Sequence, residues 1–216
     1  MTTIWNRARA GWLAGPAAAS LFAASVTIFA ALRQDGYTHG TKAVSELGST
    51  GAPNALAFNL LGFVLPGLLV MAFAAFLTWR TGSRTGGGLL ALSGAFLCLA
   101  GLAPVDMAAR GSMLSILHLV GAMGSGFAWT LALFPLGTAL RRFGLPRWGR
   151  ITPWFGLFLF ANVGWQVVYQ SSGLVLPGWG QRIAFLGYFA WLAITGLLLR
   201  SPKTQAPAAS FSGDRV

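Results

Sequence analysis

Six long apolar runs constrain the fold of this chain more than any other feature of its sequence. They cover about residues 12–32, 54–78, 86–103, 115–140, 151–169 and 183–199. A helix needs about 20 apolar residues to cross the roughly 30 Å of hydrocarbon in a bilayer. A closed barrel is the other spanning structure, but its strands would alternate polar and apolar residues over about 10 positions. The runs lack that alternation, so they predict an all-α, polytopic integral membrane bundle of six transmembrane helices in one domain, residues 1–200.

The composition supports a membrane protein and argues against a nucleic-acid-binding one. Hydrophobic residues make up 55% of the chain and charged residues only 9%, whereas about a quarter of an average soluble protein is charged. The net charge of +11 does not form one basic face with interleaved aromatic residues, as nucleic-acid recognition requires. We therefore expect the lipid bilayer as the partner, with anionic head groups attracting each basic residue by about 1 kcal/mol, and no nucleic acid.

Basic residues are concentrated on one side of the predicted bundle. Cytoplasmic loops carry an excess of Lys and Arg, and one side of the six runs has 11 of these residues against 4 on the other. Both termini are therefore predicted to be cytoplasmic. The loop that joins the first two runs is predicted to lie outside. The tail, residues 201–216, is polar and rich in Pro, Ala and Ser, which predicts a disordered cytoplasmic segment. The oligomeric state stays open.

Small residues at a four-residue spacing mark places where helices can approach each other closely. Such pairs are Gly11 with Gly15, Gly121 with Ser125, and Ala122 with Gly126. We expect these positions to lie in helix–helix contacts. Pro66 lies inside the second run and is expected to kink that helix.

Polar side chains collect toward the predicted outer side. Counting 1.5 Å per residue, His118 lies roughly 5–9 Å below the outer end of the fourth helix. The fifth run places Asn162, Gln166 and Tyr169 on one helical face, which is unfavourable against lipid. We expect a hydrated cavity that opens outward, walled by the second, fourth and fifth helices and roofed by the first loop. The candidate site residues are Asp35, His39, Ser45, Glu46, Asn59, Asp106, His118, Asn162, Gln166, Tyr169 and Arg182.

Each polar loop residue also has a purely structural interpretation. Asp35 can form a turn with the glycine after it, and Ser45 and Glu46 can cap a short helix within "TKAVSEL". Asp106 can cap the chain after Pro104, and Asn54 is a candidate N-cap of the second helix. For the two intramembrane residues, His118 and Asn59, a functional role is the default hypothesis.

Several motifs resemble a known family. They are "SELGSTGAPNALAFN", then "GFVLPGLL", then "GLAPVD", then a histidine early in the fourth helix. This pattern resembles the bacterial and archaeal membrane family catalogued as domain of unknown function 998 (DUF998). The resemblance implies a six-helix protein of the prokaryotic cytoplasmic membrane and supplies no activity. The chain departs from the family pattern at Ala103, where an aromatic residue is expected, and at Gln181, where an acidic residue often precedes Arg182.

Three classes of function remain open, and no catalytic residue is assigned. The preferred one is a protein that binds or senses a small or lipid-like ligand in the outer pocket, with no cofactor. The alternative is a metal-dependent intramembrane hydrolase acting on a lipid at the outer leaflet, with zinc held by His39, Asp106 and His118. No HExxH, HxxxH or CxxC motif supports that metal site. The third is a structural or assembly subunit.

Overall fold

The computed structural model describes residues 10–171 and 177–200, with side chains except those of 164–177. Every regular element in this part of the chain is helical. A short 3₁₀ turn, Ala10–Leu13, leads into the first helix. The six long helices are α1 (Ala14–Ala31), α2 (Ala55–Thr81), α3 (Arg84–Leu102), α4 (Met113–Arg142), α5 (Pro146–Ser171) and α6 (Pro177–Leu199).

Five of these helices are long and apolar enough to span a bilayer, and a membrane protein follows from them. The qualifying segments are Ala10–Ala31, Ala55–Thr81, Arg84–Leu102, Met113–Arg142 and Gly178–Leu199. The fifth predicted run, 151–169, lies within α5, which is helical but does not meet this measure over its described residues. The count of six spans and the cytoplasmic location of the termini therefore stay predictions. The predicted disordered tail, residues 201–216, lies outside the described residues.

The helices form a closed ring in chain order. Each packs against the next, and α6 returns to contact α1. Aromatic side chains fill the interior, where Phe22 of α1 stacks on Phe189 of α6 with ring centroids 4.4 Å apart and Trp129 of α4 packs against Trp191 of α6. We call the end that carries the connections 32–54 and 103–112 the loop end.

Two of the predicted small-residue contacts are confirmed. A methyl group on Gly15 would lie 2.5 Å from the Leu192 carbonyl oxygen, so α1 touches the backbone of α6 there. A methyl group on Gly121 would lie 2.5 Å from the Ala100 nitrogen, which brings α3 and α4 equally close. Only glycine allows such an approach between backbones.

Helix α2 changes geometry just before Pro66, as the sequence predicts. Residues Asn59–Val64 form a π-helical stretch, and regular α-helix resumes at Leu65. Proline lacks the N–H group that would bond the carbonyl four residues earlier, and a wider turn is one way for a helix to accommodate that loss. The distorted stretch carries Asn59 and Phe63, whose positions matter below.

The first loop contains a short 3₁₀ helix, Val44–Gly48, where a short helix was predicted. Asn54 occupies the N-cap position of α2, as predicted, but its side chain makes no capping hydrogen bond. Its backbone is left-handed, with φ of 58°, whereas side-chain capping uses an extended conformation. The cap that does form is at α4, where the Ser112 hydroxyl accepts a hydrogen bond from the Ser115 N–H at 3.3 Å.

Candidate functional site

A cavity of about 520 Å³ lies between α3, α4, α5 and α6. It extends along α4 from His118 to Thr130, and twelve residues of helix correspond to about 18 Å. Most of its wall is apolar, with Phe63 as the contribution of α2 and Ser45 as that of the first loop. The expected wall of helices two, four and five was therefore incomplete, because α3 and α6 provide much of it.

The cavity lies beside α4 and α5 on the loop-end side of their close contact. Away from the loop end the two helices touch, since a methyl group on Gly137 would lie 2.8 Å from the Gly149 carbonyl oxygen. Toward the loop end, Leu119 and Phe127 of α4 line the cavity and are also 59% and 48% exposed, and Phe127 packs against Phe160 of α5 with ring centroids 5.6 Å apart. The cavity thus opens sideways through the apolar outer face of the bundle. The residues described at this opening are apolar, whereas the sequence predicted a water-filled opening; the predicted polar residues Gln166 and Tyr169 lie outside the described side chains.

The third small-residue pair has a different role from the predicted one. Ala122 and Gly126 line the cavity and do not form a tight contact between helices. The nearest atom to a methyl group on Gly126 would be Leu159 Cδ2 at 3.4 Å, an ordinary van der Waals distance. Small side chains at these two positions leave the space that a larger residue would fill.

His118 is an ionisable residue that lines this cavity. It is 8% exposed, and its Nδ1 lies 2.8 Å from the Ala100 carbonyl oxygen and 3.1 Å from that of Ala103. Carbonyl oxygens only accept hydrogen bonds, so Nδ1 carries the proton and Nε2 of the neutral ring is an acceptor. These carbonyls lie at the C-terminal end of α3. The last backbone carbonyls of a helix have no N–H group further along the same helix to bond. His118 therefore bonds the end of α3 through Nδ1, and Nε2 has no partner among the described residues.

Gln181 is a second polar residue of the cavity, and the sequence did not single it out as a site residue. Its Oε1 accepts hydrogen bonds from Val44 N at 2.9 Å and Ser45 N at 3.4 Å. These are N–H groups at the start of the 3₁₀ helix, which lack partners within it. Because the amide oxygen is used in this way, the –NH₂ group remains as a donor. Ser45 and Gln181 both line the cavity at its loop end with His118.

A group of hydroxyls lies deeper in the bundle. Ser93 Oγ is 2.8 Å from the Tyr188 hydroxyl and 3.2 Å from Ser125 Oγ. Ser125, Tyr188 and Thr130 line the cavity, and Thr130 Oγ1 is buried with no hydrogen-bond partner among the described residues. These residues lie in apolar runs without a polar periodicity, so the sequence analysis missed them.

Two predicted site residues, Asn59 and Asn162, hold backbone carbonyls and do not line the cavity. Asn59 Nδ2 donates to the Gly48 carbonyl at 2.9 Å, and Asn162 Nδ2 donates to the Gly180 carbonyl at 2.8 Å. Asn59 thus attaches the 3₁₀ helix of the first loop to α2, and Asn162 attaches the first turn of α6 to α5. Gln166 and Tyr169, the other predicted polar residues of α5, lie outside the described side chains.

Arg182 fastens the first loop to the start of α6. Its Nε donates to His39 Nδ1 at 3.1 Å, one terminal nitrogen donates to the Lys42 carbonyl at 2.9 Å, and the other donates to the Tyr37 hydroxyl at 2.7 Å. Gly178 allows this close approach, because a methyl group there would lie 2.6 Å from the Lys42 carbonyl oxygen. We call these contacts the Arg182 clamp.

The ionisable groups around the clamp have shifted pKa values. Partial burial, followed by the charge of Arg182, lowers the pKa of His39 from its ordinary value. Burial raises the pKa of Tyr37, although the hydrogen bond from Arg182 opposes that shift. The lowered pKa favours the neutral imidazole of His39, and the raised pKa favours the neutral phenol of Tyr37. These are the forms that accept the hydrogen bonds from Arg182 in the clamp.

The three predicted carboxylates have local partners, as their structural interpretation allowed. Asp35 accepts two hydrogen bonds from Arg33, which lower its pKa. Glu46 Oε1 accepts from Ala43 N at 2.9 Å, and Asp106 Oδ1 accepts from the N–H groups of residues 108 and 109 at 2.9 and 3.0 Å. None of them contacts His118 within the described part of the chain.

No group of three His, Cys, Asp or Glu side chains that could hold a metal ion occurs among the described residues. His39, Asp106 and His118, the set expected under the zinc alternative, each have separate partners. The residues present therefore do not form the zinc site that the hydrolase alternative needs. The expectation that the protein has no cofactor stays a prediction.

Comparison with protein families matches residues 17–198 to the family described as "Protein of unknown function (DUF998)". Comparison with curated proteins finds no match, and comparison with solved structures finds none. The matched range includes every residue of the cavity and of the Arg182 clamp described above.

Proposed function

The chain belongs to DUF998, a family of proteins of unknown function, and we propose that it binds a lipid-like molecule in the cavity between α3, α4, α5 and α6. The observation that carries this proposal is the volume of the cavity together with its mostly apolar lining. A volume of about 520 Å³ lies within the range of ligand pockets, roughly 300–1,000 Å³, and such pockets combine an apolar wall with a few polar groups.

The sideways opening supports a ligand that arrives from the bilayer. Leu119 of α4 lies at this opening, and Phe127 of α4 packs against Phe160 of α5 with ring centroids 5.6 Å apart while 48% and 46% of their surfaces stay exposed. A water-soluble ligand would have to cross an apolar rim, whereas a lipid already lies beside it. The polar groups at the loop end then face the part of the lipid that lies nearest the membrane surface.

Orientation and the number of spans are part of this proposal. The excess of basic residues away from the loop end favours cytoplasmic termini and six spans, including α5. The protein then lies in the prokaryotic cytoplasmic membrane, and its cavity takes ligand from the outer leaflet. Two alternatives rank below binding: a metal-dependent hydrolase, which lacks a grouped ligand set in the described residues, and a structural or assembly subunit.

A cavity-filling substitution tests the proposal. Ala122→Leu adds bulk to the cavity wall, and Ala72→Leu makes the same change at an exposed position of α2 that does not line the cavity. Native mass spectrometry of protein purified from membranes in mild detergent should detect a bound lipid on the wild type and on Ala72→Leu. The signal should fall strongly in Ala122→Leu. Equal lipid retention by both variants, or none on the wild type, would contradict the proposal.

A further inference from the structure

The polar end of the cavity indicates which lipids it accepts, and this inference rests on the proposed function. We propose that the ligand is a neutral lipid with a free hydroxyl group, such as a long-chain alcohol or an acylglycerol. The hydroxyl donates to His118 Nε2 and accepts from the Gln181 –NH₂ group, with the Ser45 hydroxyl beside it.

Charge argues against an anionic lipid. Apart from His118, no acidic or basic side chain lines the cavity among those described, and the sequence of 164–177 contains no charged residue either. Of the arginines at the loop end, Arg182 is engaged in the clamp, Arg33 is paired with Asp35, and Arg110 does not line the cavity. A phosphate or carboxylate would therefore enter an apolar site without a counter-ion, which is far more costly than burying a hydroxyl.

The tautomer of His118 requires a ligand that donates a hydrogen bond. Nδ1 gives its proton to the Ala100 and Ala103 carbonyls, so Nε2 presents a lone pair to the cavity. A carboxylate or a simple ester can only accept and would leave this nitrogen unpaired, whereas a hydroxyl both donates and accepts. Buried polar groups left without partners disfavour binding.

The neighbouring side chains complete the match. Gln181 has committed its oxygen to Val44 and Ser45, which leaves two N–H donors. Beyond them, an alkyl chain passes an apolar wall in which the Tyr188 hydroxyl already bonds Ser93. One hydroxyl at the loop end therefore matches the polar groups described there, and the hydrocarbon tail below it leaves Thr130 Oγ1, deeper in the cavity, without a described partner.

Three ligands with the same 18-carbon chain separate the possibilities. Oleyl alcohol has a donor, methyl oleate has none, and oleate is an anion. Delipidated protein in detergent is titrated with each, and the rise of the unfolding midpoint is followed by intrinsic tryptophan fluorescence. We expect oleyl alcohol to bind roughly tenfold more tightly than methyl oleate, as one additional hydrogen bond predicts, and oleate to bind most weakly.

The variant His118→Asn tests the role of the acceptor nitrogen, Nε2 of His118. The asparagine –NH₂ group can still donate to the carbonyls of α3, but nothing replaces Nε2. This variant should bind oleyl alcohol and methyl oleate within about twofold of each other, with unchanged affinity for methyl oleate. Ser45→Ala, which keeps the backbone N–H that Gln181 binds, should reduce alcohol binding without loss of stability.

The outcomes distinguish the inference from the function on which it rests. If oleate or methyl oleate binds as tightly as oleyl alcohol, or if His118→Asn keeps the tenfold preference, the hydroxyl inference is wrong and lipid binding stands. If none of the three ligands shifts the midpoint and no lipid co-purifies with the wild type, both proposals are wrong.

Discussion

Removing the Arg182 side chain should release the first loop and destabilise the loop end. Of its hydrogen bonds, those to the Tyr37 hydroxyl at 2.7 Å and the Gly178 carbonyl at 3.0 Å are partly buried. At about 0.5–1.5 kcal/mol each, they account for roughly 2 kcal/mol. The exposed bonds to His39 and Lys42 add little, because solvent competes for them. Arg182→Gln should therefore lower the free energy of unfolding by about 2 kcal/mol.

The assay is thermal unfolding in detergent, with the midpoint shifted by about 2–4 °C per kcal/mol for a chain of this size. Arg182→Lys should lose most of the same stability, since one ammonium group cannot reach several acceptors in different directions. Arg110→Gln is the matched control, because Arg110 is exposed at the same end and has no hydrogen bond in the described part of the chain.

A double-mutant cycle with Tyr37→Phe decides whether the clamp is the cause. The Tyr37 and Arg182 substitutions should be non-additive, because each removes the same hydrogen bond. Additivity within about 0.3–0.5 kcal/mol, or a loss in Arg182→Gln no larger than in Arg110→Gln, would refute the reasoning.

Three further predictions follow from the loop end. The pKa of His39 is lowered from 6.5 in the folded protein. The neutral His39 side chain therefore contributes its full stability above about pH 6.5, and this contribution is lost as the pH falls through the lower pKa of the folded protein. The unfolding midpoint should consequently depend less on pH in His39→Gln than in the wild type. Gly178→Ala should destabilise the protein by about 1–3 kcal/mol through overpacking, whereas Gly111→Ala, with open space around it, should not, and equal midpoints would contradict this. A cysteine introduced at Thr50 should react with an impermeant thiol reagent in intact cells, on a background without the native cysteine, and one at Gly144 should not; the reverse pattern would invert the proposed orientation.

The helices could be predicted from the sequence because the requirement of the membrane is local. A span needs a continuous apolar run, so the predicted runs 54–78 and 115–140 correspond to Ala55–Thr81 and Met113–Arg142. Pro66 likewise acts on its own helix, and the irregular stretch precedes it as expected. The same reasoning is weaker for the run 151–169, because polar residues interrupt it.

The site was less predictable because its contacts join distant parts of the chain. Depth in the membrane correctly drew attention to His118, but depth does not reveal which carbonyl lies beside a polar group. Asn59 and Asn162 were therefore assigned to the cavity wall, although each bonds a backbone carbonyl instead. Gln181 was noted only for its departure from the family pattern, yet it bonds residues more than 130 positions earlier in the chain.

The contact between α4 and α5 at Gly137 and Gly149 has a mechanical consequence for the width of the cavity opening. Nineteen residues of helix separate Gly137 from His118, which corresponds to a lever arm of about 28 Å. With the glycine contact as a pivot, a tilt of about 5° between the two helices would change their separation at the level of His118 by about 2.5 Å over that arm. A rotation this small would leave the contact at Gly137 and Gly149 almost unchanged, and the contacts of Thr130 with Gly156 and of Phe127 with Phe160 are the ones that would have to adjust.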